Sequence, residues 1–349
     1  MRIYVLKPDG IGDFILATGA LHALAREYGE EELVICVRSV LVPLAQSQFP
    51  KATVLPLPTR MKRKVLNLFL YNSLVSIPLW FRLRFLRVDT AICLRGLRNY
   101  LETILFYSAI ARRYIAPENH LCLGPKKKVR ATVEKVVQGF FRAELLPYPE
   151  AATDAPLEIE AHRRVVSRTL NREISLREVL PVLHTDYVAK EPCWICAPVT
   201  EASKMYPKEL WVEIFQELRS ELGAKPLLLV GSEDQRPQLA ELEKALHDEG
   251  VLSARLFIPP TLVDFMHHIA GADLLFSVDT AAAHFATALD QRTIVVFSGL
   301  HLGMFGPWQR SERQSWLLPD PPPKKKSHWP KSIPPARVAS EARRILQNP

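Results

Sequence analysis

Twice along this chain of 349 residues a short apolar run ends in a turn and gives way to apolar residues at helical spacing. Arg2 to Lys7 reads as a buried strand, Pro8 to Asp13 as a glycine-containing turn, and Phe14 to Tyr28 as a helix with Leu16, Ala20 and Leu24 on one face. Further strands follow at 32–37, 52–57 and 88–94, with helices at 101–111 and 131–144. From Trp194 the alternation starts afresh: strands at 194–197, 226–230, 254–257, 273–278 and 293–297 are separated by helices at 208–222, 235–247, 261–270 and 281–289. Strand and helix alternating twice over describe an α/β protein with two parallel-sheet domains, whose sites belong at the carboxyl ends of strands. The turn-rich run from Pro147 to Pro156 approaches a linker, residues 319–335 form a Pro- and Lys-rich excursion, and a last helix covers 336–346.

Hydrophobic residues make up 48% of the chain and charged residues 23%, which excludes disordered, collagen-like and disulfide-scaffold classes. Five cysteines, only Cys193 and Cys196 of them close together, do not make a secreted disulfide framework and fit a reducing compartment. That pair opens a buried strand rather than a helix, so two packed thiols are expected. The first apolar run meets Asp9 and Asp13 too soon for a signal peptide. The most membrane-like stretch, Val65 to Trp80, is interrupted by Asn67, Asn72, Ser73, Ser76 and Pro78. A cytoplasmic protein is expected.

Residues 1–150 carry 22 Lys and Arg against 12 Asp and Glu, and residues 151–349 carry 23 against 25, so the formal charge of +8 resides in the first half. Residues 51–100 alone hold ten basic residues and one acid, Asp89, interleaved with Leu, Phe, Tyr and Trp. Lys62, Arg63, Lys64, Arg82, Arg84 and Arg87 form either a solvated basic face or a contact for anionic lipid head groups at a peripheral membrane site. A nucleic-acid partner is not expected, because no helix-turn-helix, zinc-finger or RNP signature accompanies the charge. Lys126, Lys127 and Lys128, after Gly124-Pro125, are either a solvated loop or a phosphate contact.

Four strand-to-helix turns carry residues with chemistry. In Lys7-Pro-Asp-Gly-Ile-Gly-Asp13, Gly10 and Gly12 allow a tight turn and close backbone approach, and Asp13 is a helix cap or a functional carboxylate. The third glycine of a dinucleotide fingerprint is missing. In Ala197-Pro-Val-Thr-Glu-Ala-Ser-Lys-Met-Tyr-Pro207, Lys204 stands before a helix that Pro207 opens, an arrangement for phosphate or a plain surface lysine. Gly231-Ser-Glu233 ends a buried strand with a carboxylate suited either to ribose hydroxyls or to the next helix. In Asp279-Thr-Ala-Ala-Ala-His284, Asp279 or Thr280 caps a helix and His284 returns to the same side, and a metal site would need further ligands.

Taken together, in this order and spacing, these four segments resemble the bacterial heptosyltransferase family, inverting glycosyltransferases of lipopolysaccharide inner-core biosynthesis. The resemblance is clear over 1–30 and 194–308 and weak over 60–190. It implies the GT-B architecture of two Rossmann-like domains facing across a cleft: an acceptor domain over 1–175, rejoined by the C-terminal helix at 336–349, and a nucleotide-sugar domain over 176–330. It implies Asp13 as general base, Lys204 on the donor diphosphate, Glu233 on the nucleoside, and Asp279, Thr280 and His284 as donor residues, with no metal and no cofactor. A threonine pair before the lysine is half kept, as Val199 and Thr200. Ala281 stands where relatives have glycine, and Cys93-Leu-Arg95-Gly96 where they read Asp-x-Gln-Gly, which points to an acceptor other than the commonest one.

The resemblance also implies partners: a nucleotide-sugar donor, an ADP-sugar by default, and an anionic glycolipid or glycan acceptor. Two other classes compete. An NADP-linked oxidoreductase would use Arg38 for the 2′-phosphate, and a non-catalytic binder of the same fold would account for Ala281 and Arg95.

Overall fold

Ile3 to Leu6, with no charged side chain among them, are completely buried, as a strand covered by helices on both faces must be. The computed structural model describes residues 1–57, 76–96, 98, 100–118, 139–149, 156–188, 191–320 and 326–347. They form two units, Met1–Pro181 and Val182–Pro349.

The first unit is a parallel sheet of β1 (Ile3–Lys7), β2 (Leu33–Arg38), β3 (Thr53–Leu57), β4 (Arg87–Cys93), β5 (Ile110–Pro117) and β6 (Glu144–Leu146), in the order β3-β2-β1-β4-β5-β6. The second has β7 (Cys193–Ala197), β8 (Leu227–Val230), β9 (Ala254–Phe257), β10 (Ala272–Val278), β11 (Thr293–Val296) and β12 (Gln314–Leu317), also all parallel, in the order β12-β11-β10-β7-β8-β9. Each sheet therefore reverses its strand order once, between β1 and β4 and between β7 and β10. Those reversals are where the helices depart to opposite faces and leave a crevice at the carboxyl ends.

Strands β1 to β4 and β7 to β11 lie where hydrophobic periodicity puts them. Strand β5 and the edge strands β6 and β12 escape that reading. The helix expected over 101–111 ends at Ser108, and Ile110 begins β5, whose first four residues, Arg112 and Arg113 among them, are exposed or half-buried. Half-solvated residues interrupt the apolar run that marks a buried strand. Helices Ile77–Arg84 and Leu157–Leu170 also form outside the expected elements. The latter packs on the helix Ile11–Tyr28.

Helix Ile11–Tyr28 is buried over most of its length because the segment 176–180 closes over it. At Gly19 a methyl group would lie 2.2 Å from the Val179 carbonyl oxygen and 2.3 Å from that of Leu180. Glycine is required there by contact rather than by backbone conformation.

The C-terminal helix Pro335–Gln347, expected with the first domain, packs within the second unit: Val338, Ala339, Ala342 and Ile345 belong to its core, with Trp194, Trp211, Ile294 and Trp329. Tyr206 fixes its approach by donating its hydroxyl to the Ile333 carbonyl at 2.6 Å. The division between the units falls at Pro181 rather than at 175.

Candidate active site

The first crevice begins with a charged residue in an otherwise apolar strand. Lys7 is fully buried, and its Nζ meets Asp9 Oδ2 at 3.0 Å, Glu158 Oε1 at 2.9 Å and the Leu94 carbonyl at 2.7 Å. Burial opposes the ammonium charge, but the carboxylates of Asp9 and Glu158 outweigh it and lift the lysine pKa above its ordinary value. Glu158 is pushed up by burial too, yet Lys7 and His162 hold its carboxyl well below the usual range. For Asp9 burial wins, and its carboxyl lies above the ordinary value despite Lys7 and Arg95.

Arg95, at the end of β4, bridges Asp9 at 3.0 Å and Glu102 at 3.2 Å. Its peptide oxygen accepts from the buried Arg98 at 2.9 Å. Tyr148 donates to Glu158 Oε2 at 2.9 Å, and its ring covers Gly96, where a methyl group would approach to 2.8 Å. The network ties the ends of β1 and β4 to the helix Leu157–Leu170.

Asp13 stands on this base. It is the third residue of its helix, not the cap: Gly10 occupies the cap position, and Asp13 Oδ2 accepts from the Gly10 amide at 3.2 Å. Gly10 has φ −73° and ψ −177°, extended backbone open to any residue. Its constraint is steric, since a methyl group would sit 3.3 Å from Asp13 Oδ2. Gly12 follows in the first helical turn.

In the second unit the ends of β7 and β10 are joined by charge. Lys204 Nζ lies 2.9 Å from Asp279 Oδ2, and both side chains are largely buried. Thr280 is the cap of helix Ala281–Ala288 in extended backbone (φ −140°), and its hydroxyl lies 3.1 Å from Ser277 Oγ. The helix thus presents its first amides beside a half-buried lysine, which is the electrostatic setting for an anion. His284 is buried one turn further on, and its Nδ1 accepts from Trp308 Nε1 at 3.0 Å.

Glu233 is held at the start of its own helical turn. It is exposed and forks onto Arg236, with Nε to Oε1 at 2.6 Å and Nη2 to Oε2 at 2.8 Å, and that hydrogen-bonded pairing lowers its pKa. Its turn is tied to the β7 loop, because Gln235 Nε2 donates to the Val199 carbonyl at 3.2 Å. Thr200 is half-buried in that loop.

Of the residues singled out by sequence, Lys204, Asp279, Thr280 and His284 converge at one switch point, and Gly10, Gly12, Asp13 and Arg95 frame the other. Lys62, Arg63, Lys64, Lys126, Lys127 and Lys128 lie outside the described residues. Arg38 has another task than a 2′-phosphate: its Nε donates to the Pro8 carbonyl at 2.7 Å and braces the first turn. Lys7, Asp9, Glu158 and Trp308 were not candidates by sequence. A lysine closing an apolar strand was the one local sign of them. Among the described residues no three His, Cys, Asp or Glu side chains are grouped to hold a metal ion.

Residues 119–334 match the model of glycosyltransferase family 9 (heptosyltransferase). No curated protein matches the chain by sequence. Among solved structures it is similar to E. coli ADP-heptose LPS heptosyltransferase II, with a TM-score of 0.68 at 15% identity over 99% of this chain and 98% of that one. It is also similar to the E. coli heptosyltransferase WaaC with ADP, with a TM-score of 0.68 at 17% identity over 99% and 100%. A family 9 glycosyl transferase from Veillonella parvula gives 0.68 at 12% identity over 100% and 97%. At these identities the structures share the fold, two parallel Rossmann-like sheets of the GT-B type.

Proposed function

The chain belongs to glycosyltransferase family 9, the heptosyltransferase family, and on that premise we propose that it moves a sugar, by default a heptose from ADP-heptose, with inversion onto a hydroxyl of an anionic glycan or glycolipid of the lipopolysaccharide-core type. The observation that carries this reading is the Lys204–Asp279 pair beside the Thr280-capped helix. A half-buried lysine, a helix N-terminus and a strand-order reversal coincide there, and together they suit a nucleoside diphosphate. Two structures of E. coli WaaC, similar in fold, hold ADP and ADP-2-deoxy-2-fluoro heptose.

In this mechanism the acceptor hydroxyl attacks the anomeric carbon from the face opposite the diphosphate. The C–O bond to the diphosphate breaks, and the hydroxyl proton passes to Asp13. A carboxylate is a weak base for a sugar hydroxyl, whose proton becomes acidic only as the new bond forms, so the transfer comes late. Lys204 and the first amides of helix Ala281–Ala288 take up the charge of the leaving diphosphate, the role a metal plays in other transferases. Glu233 would exchange Arg236 for the nucleoside.

The basic first half supports an anionic acceptor at the cytoplasmic membrane face. Helix Ile77–Arg84 buries Leu79 and Leu83 and turns Trp80, Phe81, Arg82 and Arg84 outward, followed by Phe85 at 81% exposure and Arg87. Exposed aromatic and arginine side chains together suit a lipid head-group boundary. Among the described residues no helix is long and apolar enough to cross a membrane.

The test is a thermal-shift panel of ADP, UDP, GDP, CMP and NADP on wild type, Lys204→Ala and Asp13→Asn. Stabilisation by one nucleoside diphosphate, weakened in Lys204→Ala and kept in Asp13→Asn, with sugar transfer lost in Asp13→Asn, is the expected result. Stabilisation by NADP alone refutes the donor site, and transfer retained by Asp13→Asn removes Asp13 from the role of base.

A further inference from the structure

His284 owes its protonation state to a neighbour that no motif includes. Trp308 Nε1 lies 3.0 Å from His284 Nδ1, both residues are buried, and their rings are nearly parallel at 11°. An indole N–H only donates. Nδ1 must therefore offer its lone pair, and the single proton of the neutral imidazole is then on Nε2. A second indole, Trp316, packs on the same imidazole at 5.8 Å between ring centroids. Trp316 is admitted by Gly306, where a methyl group would come within 2.8 Å of its ring. Turning the imidazole over would replace Nδ1 by a carbon and break the indole bond, so this contact ties ring orientation to tautomer.

We propose that Trp308 is a positioning residue of the donor site, holding His284 as a neutral imidazole with its proton on Nε2, a committed hydrogen-bond donor for the diphosphate oxygens. The proposal rests on the donor-site reading of Lys204 and Asp279–His284. A histidine without this contact divides its population between two tautomers and the imidazolium, and only part of it would meet a phosphate in the productive form.

The experiment uses the full chain labelled with 15N-histidine, free and with ADP, as wild type, Trp308→Phe, His284→Gln and the double variant. In the wild type without ligand, the nitrogen spectrum of His284 should show one tautomer, Nε2 protonated and Nδ1 unprotonated, with coupling across the Trp308 Nε1–H···Nδ1 bond. Trp308→Phe should mix the tautomers and weaken ADP binding about tenfold, the scale of a misaligned hydrogen bond to a charged acceptor. Glutamine carries its N–H near the Nε2 position and has no tautomer to set, so adding Trp308→Phe to His284→Gln should cost nothing further.

A wild-type proton on Nδ1, or a stable imidazolium, overturns the proposal by itself, even if Trp308→Phe fails to fold. ADP affinity lost in His284→Gln but unchanged in Trp308→Phe overturns the positioning role and leaves the donor site standing. ADP affinity unchanged in both variants overturns the proposal at its premise.

Discussion

Lys7 is a fully buried ammonium in the first unit. An ammonium taken wholly out of water is tolerated because two carboxylates and a carbonyl surround it. Lys7→Met would leave Asp9 and Glu158 as buried acids without their shared cation, at a cost of about 3–5 kcal/mol. Denaturant melts followed by amide exchange in β1 and β4 would measure it. The same cluster gives the unit its acid response. Glu158 is held below its ordinary value of 4.5, so its contribution is present above that pH and fades as pH falls toward the lower folded-state value. Asp9 is raised and works in the opposite sense, favouring the folded state on protonation. The prediction is therefore a first unit that loses stability below about pH 4.5 with a shallow slope, and Glu158→Gln should flatten that slope further. Gly19→Ala is a purely steric test. Its methyl group would strike two backbone carbonyls, and about 1–3 kcal/mol or more of stability should be lost while Asp13 chemistry stays intact.

At the scale of elements, two helices carry expectations of different kinds. Helix Ile77–Arg84 is apolar on its buried side and aromatic and cationic on its exposed side. Neutralising Arg82, Arg84 and Arg87 should lower co-sedimentation with anionic vesicles and remove its salt dependence. Replacing Phe81 and Phe85 by serine should lower it at every salt concentration. Equal binding by all variants would exclude this helix as the docking element. Helix Pro335–Gln347 is a structural element of the second unit. Truncation after Pro334 would expose the surface that Val338 and Ile345 cover, each worth about 1.5–3 kcal/mol when buried. A large drop in the melting temperature of that unit is expected.

For the whole molecule the prediction is a division of labour. Each unit has its own six-stranded sheet, and each core is closed by helices of the same unit. Residues 182–349 expressed alone should fold cooperatively and bind ADP while transferring no sugar, and calorimetry with and without ADP would check both parts.

The two parallel sheets, the strands β1 to β4 and β7 to β11, the turn motifs and the membership they point to were legible in the sequence because each rests on local signals. Hydrophobic period and turn chemistry act over a few residues and need no partner elsewhere. What only the tertiary structure decided are the pairings across distance: Lys7 with Glu158, Arg95 with Asp9, Lys204 with Asp279, Trp308 with His284, and the docking of the C-terminal helix on the second core. A buried charge or a histidine proton takes its state from whatever group the fold carries to within about 3 Å. One strand of sequence read alone contains no trace of that neighbour.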